Sequence, residues 1–204
     1  MIRVVAYVDG FNLYYGLKAG YGRRYHWLDL QLLASSLLRP GQQLHAVHYF
    51  TARAYGNTDG EGRQVTYLDA LISHSPKVRL IEGRFQEKPQ GCLSCGARWI
   101  TYEEKETDVN IAIAMLEGAV RDDYDSAMLI SGDGDLRPAV AAVKRVRPGK
   151  RVIAAFPPRR HSTSLAQAVD GYVSISTTKV RNAQLPPKIV TAGGIILERP
   201  LHWS

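Results

Sequence analysis

Cysteine is nearly absent from this chain, with two residues in 204. Two thiols cannot build a disulfide framework, so the fold must be held by its core. No apolar run reaches the ~18 residues needed to cross a bilayer, and no membrane partner is expected. A secretory signal pattern is also missing. The chain runs at once into a strand-like stretch, which favours a cytoplasmic protein. No internal repeat is visible. Acid is in deficit: 19 Asp and Glu stand against 26 Lys and Arg, for a net charge of +7. Such a balance favours anionic partners, nucleic acid among them. What the chain does have is ordinary for a globular protein. Apolar residues make up 45%, and this length can bury a real core in one domain.

Strand-like and helix-like stretches alternate. Residues 2–9, 44–51, 78–85, 126–131 and 151–156 read as strands, with a short last strand at 172–175. Helical patterns fall after the Gly10-Phe11-Asn12 turn and at 29–38, 65–73, 108–120, 136–146 and 162–169. Residues 58–62 read as a loop. Asp29 and Thr107 read as N-caps. The apolar positions of 108–120 wrap widely, so that helix is expected to be well buried. This alternation predicts an α/β fold, doubly wound, with a mostly parallel sheet flanked by helices. One domain spans residues 1–178, with an irregular cysteine-containing loop at 86–99. Residues 99–102 are expected to pair with the 78–85 strand. Residues 179–204 read as an extended tail, partly docked through Ile195, Ile196 and Leu197.

Acids gather where strands end or helices begin: Asp9, Asp108, Asp133 and Asp135. Each alone has a local explanation, as a turn former or as a charge offsetting a helix N-terminus. Together in one cleft they would repel and raise one another's pKa values. A divalent cation relieves that, and oxygen-only ligands suit Mg²⁺ or Mn²⁺. Such an ion supports phosphodiester hydrolysis. Asn12 and Ser131 sit where they can orient an acid or a phosphate.

Val8-Asp9-Gly10-Phe11-Asn12-Leu13, then Glu104-Lys105-Glu106-Thr107-Asp108-Val109, then Ser131-Gly132-Asp133-Gly134-Asp135-Leu136 resembles the NYN-domain family. The likeness is strongest to the LabA-like branch of the PIN-like nuclease superfamily. Order and spacing match from residue 2 to about residue 175. The resemblance implies a doubly wound α/β fold and a metal-dependent endoribonuclease leaving 5′-phosphate and 3′-hydroxyl ends. It implies that Asp9, Asp108 and Asp133 surround the metal, with Asp135 a fourth or supporting acid. Catalytic roles would fall to these four with Asn12 and Ser131. Lys105 matches a lysine that many members place before Gly-Val-Asp. Here Glu106 and Thr107 follow it, so an acid stands where members carry a small residue. A homodimer is a further expectation of the resemblance.

Between Leu136 and Arg160 there are eight Lys or Arg and no acid. The loop with Arg159 and Arg160 is expected to emerge beside the acids and hold RNA phosphates. Asn12, Tyr14 and Lys105 complete the candidate RNA contacts, with Tyr14 as a base-stacking surface. Cys92 and Cys95, followed by Gly96, resemble half of a zinc knuckle. A structural Zn²⁺ needs four ligands, so the rest would come from histidines or a second copy; a redox-labile pair, a vestigial knuckle and a tight turn with reduced thiols are the other readings. Other classes fit less well. A phosphatase with an aspartyl nucleophile needs an acid at the position of Phe11. A Toprim-like domain needs a glutamate in place of Asp9. A non-catalytic RNA-binding module of the same fold remains the alternative to the nuclease.

Overall fold

The first strand explains the layering. In Ile2–Asp9 (β1), Val4, Ala6 and Val8 enter one hydrophobic core, and Val5 and Tyr7 enter another. A period of two sends alternate side chains to opposite faces of a sheet, and both faces here are covered. The computed structural model describes residues 1–53, 58–92 and 94–203. After β1 come α1 (Gly10–Tyr21), α2 (Leu30–Ser36), β2 (Gln42–Thr51), α3 (Thr58–His74) and β3 (Val78–Glu82). Next are β4 (Arg84–Gly91), β5 (Arg98–Lys105), α4 (Thr107–Arg121), β6 (Ser126–Ile130), α5 (Arg137–Val146) and β7 (Arg151–Phe156). The chain continues through α6 (Thr163–Ala168), β8 (Gly171–Ser174), α7 (Thr177–Asn182), β9 (Lys188–Val190) and β10 (Ile196–Glu198).

Six strands form one sheet in the order β3-β2-β1-β6-β7-β8. Every pairing in it is parallel. Helices α1, α2 and α3 cover one face, with Leu13, Leu33 and Leu71 buried there. Helices α4, α5 and α6 cover the other, with Ile111, Val140 and Leu165 buried. The predicted doubly wound α/β class is the observed one. Strand order reverses between β1 and β6, and a cleft opens outside the strand ends at such a switch point. At the other end of β1, Arg3 pairs with Asp122 at 2.9 Å and Asp125 at 2.8 Å. The Arg3 hydrogen bonds hold the Asp125 carboxyl down at about 2.

Several local expectations are corrected. The 78–85 strand breaks at Gly83 into β3 and β4. Residues 98–105 pair antiparallel with β4 rather than with β3, so the cysteine pair tips a separate two-stranded hairpin. Leu93 lies outside the described residues. Helix α3 starts at Thr58, where a loop was expected. Helix α4 is buried on one face only: Ile111 and Met115 are inside, while Val109 and Ile113 are at least half exposed. The last residues are not simply extended. Ser176 caps α7, and Val180, Ala183, Leu185 and Ile189 are buried in the core. Trp27 Nε1 donates to the Pro186 carbonyl at 2.8 Å, which fixes this segment to the first half of the chain. Ile195 and Ile196 stay exposed, and Leu197 alone of the expected three packs inward.

Candidate active site at the carboxyl edge of the sheet

Strand β1 delivers Asp9 to the switch point and α1 begins at the next residue. This tight entry needs glycine at position 10, because a Cβ there would lie 2.5 Å from the Phe50 carbonyl oxygen. Asp9 is 4% exposed. Its Oδ1 accepts from the Asn12 amide at 2.9 Å, so it is the N-cap of α1. Its Oδ2 accepts from the Ser131 hydroxyl at 2.8 Å. Burial pushes its pKa up to about 6. Asn12 and Ser131 pull it down through their hydrogen bonds, and Asp108 and Asp133 push it up further.

Strand β6 delivers the second group. Ser131 follows its last residue and is fully buried. Its Oγ donates to Asp9 and accepts from the Asp133 amide at 3.0 Å. Asn12 Oδ1 accepts from the Gly132 amide at 2.8 Å. These bonds tie the ends of β1 and β6 into one frame. Asp133 then caps a 3₁₀ turn (Gly134–Leu136), its Oδ1 accepting from the Asp135 amide at 2.9 Å.

Helix α4 brings the third acid. Asp108 lies in its first turn and is exposed to solvent. Partial burial raises its pKa first, followed by the negative charges of Asp133, Glu104 and Asp135. Asp9, Asp108, Asp133 and Asp135 are therefore linked through their charges, Asp9 to Asp108 and Asp133, and Asp108 to Asp133 and Asp135. Thr107 is not the cap it resembles. Glu106 takes that place, in the left-handed region at φ 80°, and Thr107 is the first helical residue. The Glu104 carboxylate accepts from the Thr107 amide at 2.9 Å. Glu106 pairs with Arg84 at 2.6 Å. Lys105 ends β5, in register with Arg84.

The loop after β7 closes the rim. A Cβ on Gly132 would lie 2.9 Å from the backbone carbonyl of Arg160, so the two loops touch backbone to backbone. Arg159 and Arg160 are exposed, Arg159 in the left-handed region at φ 58°. The Arg160 guanidinium sits 5.9 Å from the Tyr15 ring centre. Tyr14 and Tyr15 both line a cavity of about 470 Å³ with Phe11, Tyr49, Tyr67, Phe85 and Trp203. That cavity shares Gly10 with the acid edge.

Do these residues suit a divalent cation? Among the described residues no three Asp, Glu, His or Cys side chains close to metal-ligand spacing. The acids ring the cleft instead. Mg²⁺ keeps several waters and uses only one or two carboxylates, so such a ring suits it. The Thr107 hydroxyl is buried beside Asp108 with no partner. An unsatisfied buried oxygen normally has a water or ion to serve. The donor set is all oxygen, which fits a hard cation. Glu104 has no role assigned by sequence, and Thr107 only that of a cap. Their signal was the three-residue spacing that lets a carboxylate meet a helix-start amide.

Among known proteins, 6-hydroxy-3-succinoylpyridine 3-monooxygenase HspA of Pseudomonas putida is 28% identical over 178 residues. That match covers 70% of this chain and 56% of the relative, so the chain spans little more than half of that protein's length. A crystal structure of a protein of unknown function from Vibrio parahaemolyticus shares the fold. Its TM-score is 0.57 at 20% identity, covering 86% of this chain and 94% of that one. The NYN domain matches residues 3–176, spanning every strand of the main sheet and all four acids. With its parallel sheet, its switch-point cleft and this match, the chain belongs to the NYN domain family, of the PIN-like nuclease superfamily.

Proposed function

We propose that this chain is an endoribonuclease that uses Mg²⁺ or Mn²⁺ to hydrolyse RNA phosphodiester bonds. The observation that carries this is Asp9: a carboxyl almost wholly buried at the switch point, held by two hydrogen bonds and pushed up to about 6. A fold keeps so costly a group for work rather than for stability. Asp9, Asp108 and Asp133 would hold the cation, directly or through its waters, with Asp135 and the Thr107 hydroxyl in support. When bound, it would supply charge stabilisation at the phosphodiester and acidify a water. Ser131 keeps Asp9 and Asp133 in fixed relation. Asn12 holds the Gly132 turn against α1. Asp108, exposed to solvent, would orient the attacking water beside the cation. Arg159 and Arg160 hold the phosphates on either side, and their charge accounts for affinity without base reading.

The test is cleavage of a labelled single-stranded RNA with Mn²⁺ or Mg²⁺, against EDTA and against Asp133→Asn. Activity lost in both controls supports the proposal. Activity that survives Asp133→Asn refutes it. RNA binding that weakens with salt, without cleavage, would mark a binding module. A second reading draws on the aromatic cavity and on the relative's name. Seven aromatic walls beside Arg23, Arg63 and Lys18 suit a small planar ring carrying an acid group. Saturable binding of a pyridine carboxylate, with no RNA cleavage, would favour it.

A further inference from the structure

The hairpin of β4 and β5 ends in a turn that the cleft does not use. Its base lies at Arg84 and Lys105 and its tip at Gly91 and Arg98. Seven residue steps place that tip about 23 Å from the base. Cys92 and Cys95 occupy the turn, both reached by solvent and neither in a disulfide. The turn is organised around sulfur. The backbone N–H groups of Ser94 and Cys95 both donate to Cys92 Sγ, and the Cys95 thiol lies within hydrogen-bonding reach of it. The Gly96 amide closes the loop onto the Cys92 carbonyl at 2.9 Å, with Gly96 at φ +72°. The Cys92 amide bonds the Ala97 carbonyl at 2.8 Å. Two thiols side by side, with amides aimed at sulfur, form a pre-shaped half of a thiolate metal site.

The other half is not in the same chain. Among the described residues, no third Cys, His, Asp or Glu joins the pair. A structural zinc takes four ligands. A two-fold axis through the metal supplies four thiolates from two identical pairs, since an isologous contact sets a patch against itself. The hairpin is dressed for such a contact. Trp99 and Ile100 follow the turn on β5, 49% and 55% exposed. Adjacent strand residues point to opposite faces, so neither face of the hairpin tip is covered. A lone two-stranded hairpin is marginal in water. Charge also permits the approach. The chain is strongly basic, yet residues 84–105 carry four basic and three acidic side chains, so two copies meet there with little repulsion.

We propose that Cys92 and Cys95 bind zinc together with the same pair from a second copy, joining two chains at their hairpin tips. The proposal is independent of the chemistry in the acidic cleft. Full-length protein is purified under reducing conditions with Zn²⁺ and dialysed. Metal content is then measured alongside mass by light scattering. The expected result is one zinc per two chains and a doubled mass. Removal of zinc with phenanthroline returns the single-chain mass. Cobalt in place of zinc gives the thiolate charge-transfer absorption of a four-sulfur site. Cys92→Ser and Cys95→Ser each keep the circular dichroism of the wild type but lose both metal and doubling. No retained zinc, zinc retained by a single chain, or a doubled mass that persists in metal-free Cys92→Ser overturns the proposal.

Discussion

Replacing Asp9 by asparagine is expected to make the protein more stable at neutral pH while removing its activity. The magnitude follows from burial. Asp9 titrates at about 6 in the fold against 3.8 when unperturbed. Below 3.8 both states hold the proton. Between 3.8 and about 6 the folded state binds a proton that the unfolded state has lost, so stability falls as pH rises through that window. The full difference is about 3 kcal/mol above pH 6. Asparagine has the same shape without the charge. It still accepts from the Asn12 amide, but its amide group faces the Ser131 hydroxyl, at a cost of about 1 kcal/mol. A net gain of about 2 kcal/mol near pH 8 remains, or roughly 4–8 °C in Tm for a chain of this size. Near pH 4 the sign reverses, because the wild-type carboxyl is then neutral and better bonded. Urea unfolding of both proteins at the two pH values checks this, together with RNA cleavage. Added Mg²⁺ or Mn²⁺ is expected to raise the Tm of the wild type only. A stability difference that is the same at both pH values would refute the reasoning, since it would mean that Asp9 carries no buried charge.

Two other changes probe the rim. Gly132→Ala sets a methyl group 2.9 Å from the Arg160 backbone, and such overpacking costs about 1–3 kcal/mol; thermal unfolding is expected to show that loss, and RNA cleavage to fall with it. If Arg159 and Arg160 each hold one phosphate as proposed, Arg159→Ala and Arg160→Ala are each expected to flatten the slope of log affinity against log salt by about 0.7 on single-stranded RNA. Filter binding at several salt concentrations measures it, and an unchanged slope would place the RNA elsewhere.

Much of the frame was legible because it rests on short-range signals. The alternation through Val4, Val5, Ala6, Tyr7 and Val8 requires a strand covered on both faces, and Asp9-Gly10 marks its end. Ser131 to Asp135 reads the same way after β6. Their meeting follows from parallel order, which places all carboxyl ends on one edge. What was hidden depends on partners distant in sequence. Thr107 looks like a cap, but the Arg84–Glu106 pair accompanies a left-handed Glu106 and moves the helix start by one residue. Nothing local announces that Gly83 ends one strand and frees the next to leave the sheet. A Cβ at Gly83 would meet the Lys105 carbonyl oxygen at 2.8 Å, a contact set by the far strand of the hairpin. The helix α4 pattern overstated burial because periodicity reports apolar positions and not which of them find neighbours. The docking of residues 177–189 likewise depends on Trp27, some 150 residues earlier, whose indole waits for the Pro186 carbonyl.

Strand β1 is charged oppositely in effect at its two ends, and ionic strength therefore acts on it unevenly. At Arg3 the pairs with Asp122 and Asp125 are attractive and open to solvent, so monovalent salt weakens them. At Asp9 the interaction with Asp108 and Asp133 is repulsive, and the Asp9 end of it is buried, where mobile ions screen less. Raising salt thus loosens the quiet edge of the sheet while doing little for the strained one. On the proposed reading, an ion that enters the cleft relieves the strained edge, and the rigidity of the strand would then follow the supply of divalent metal.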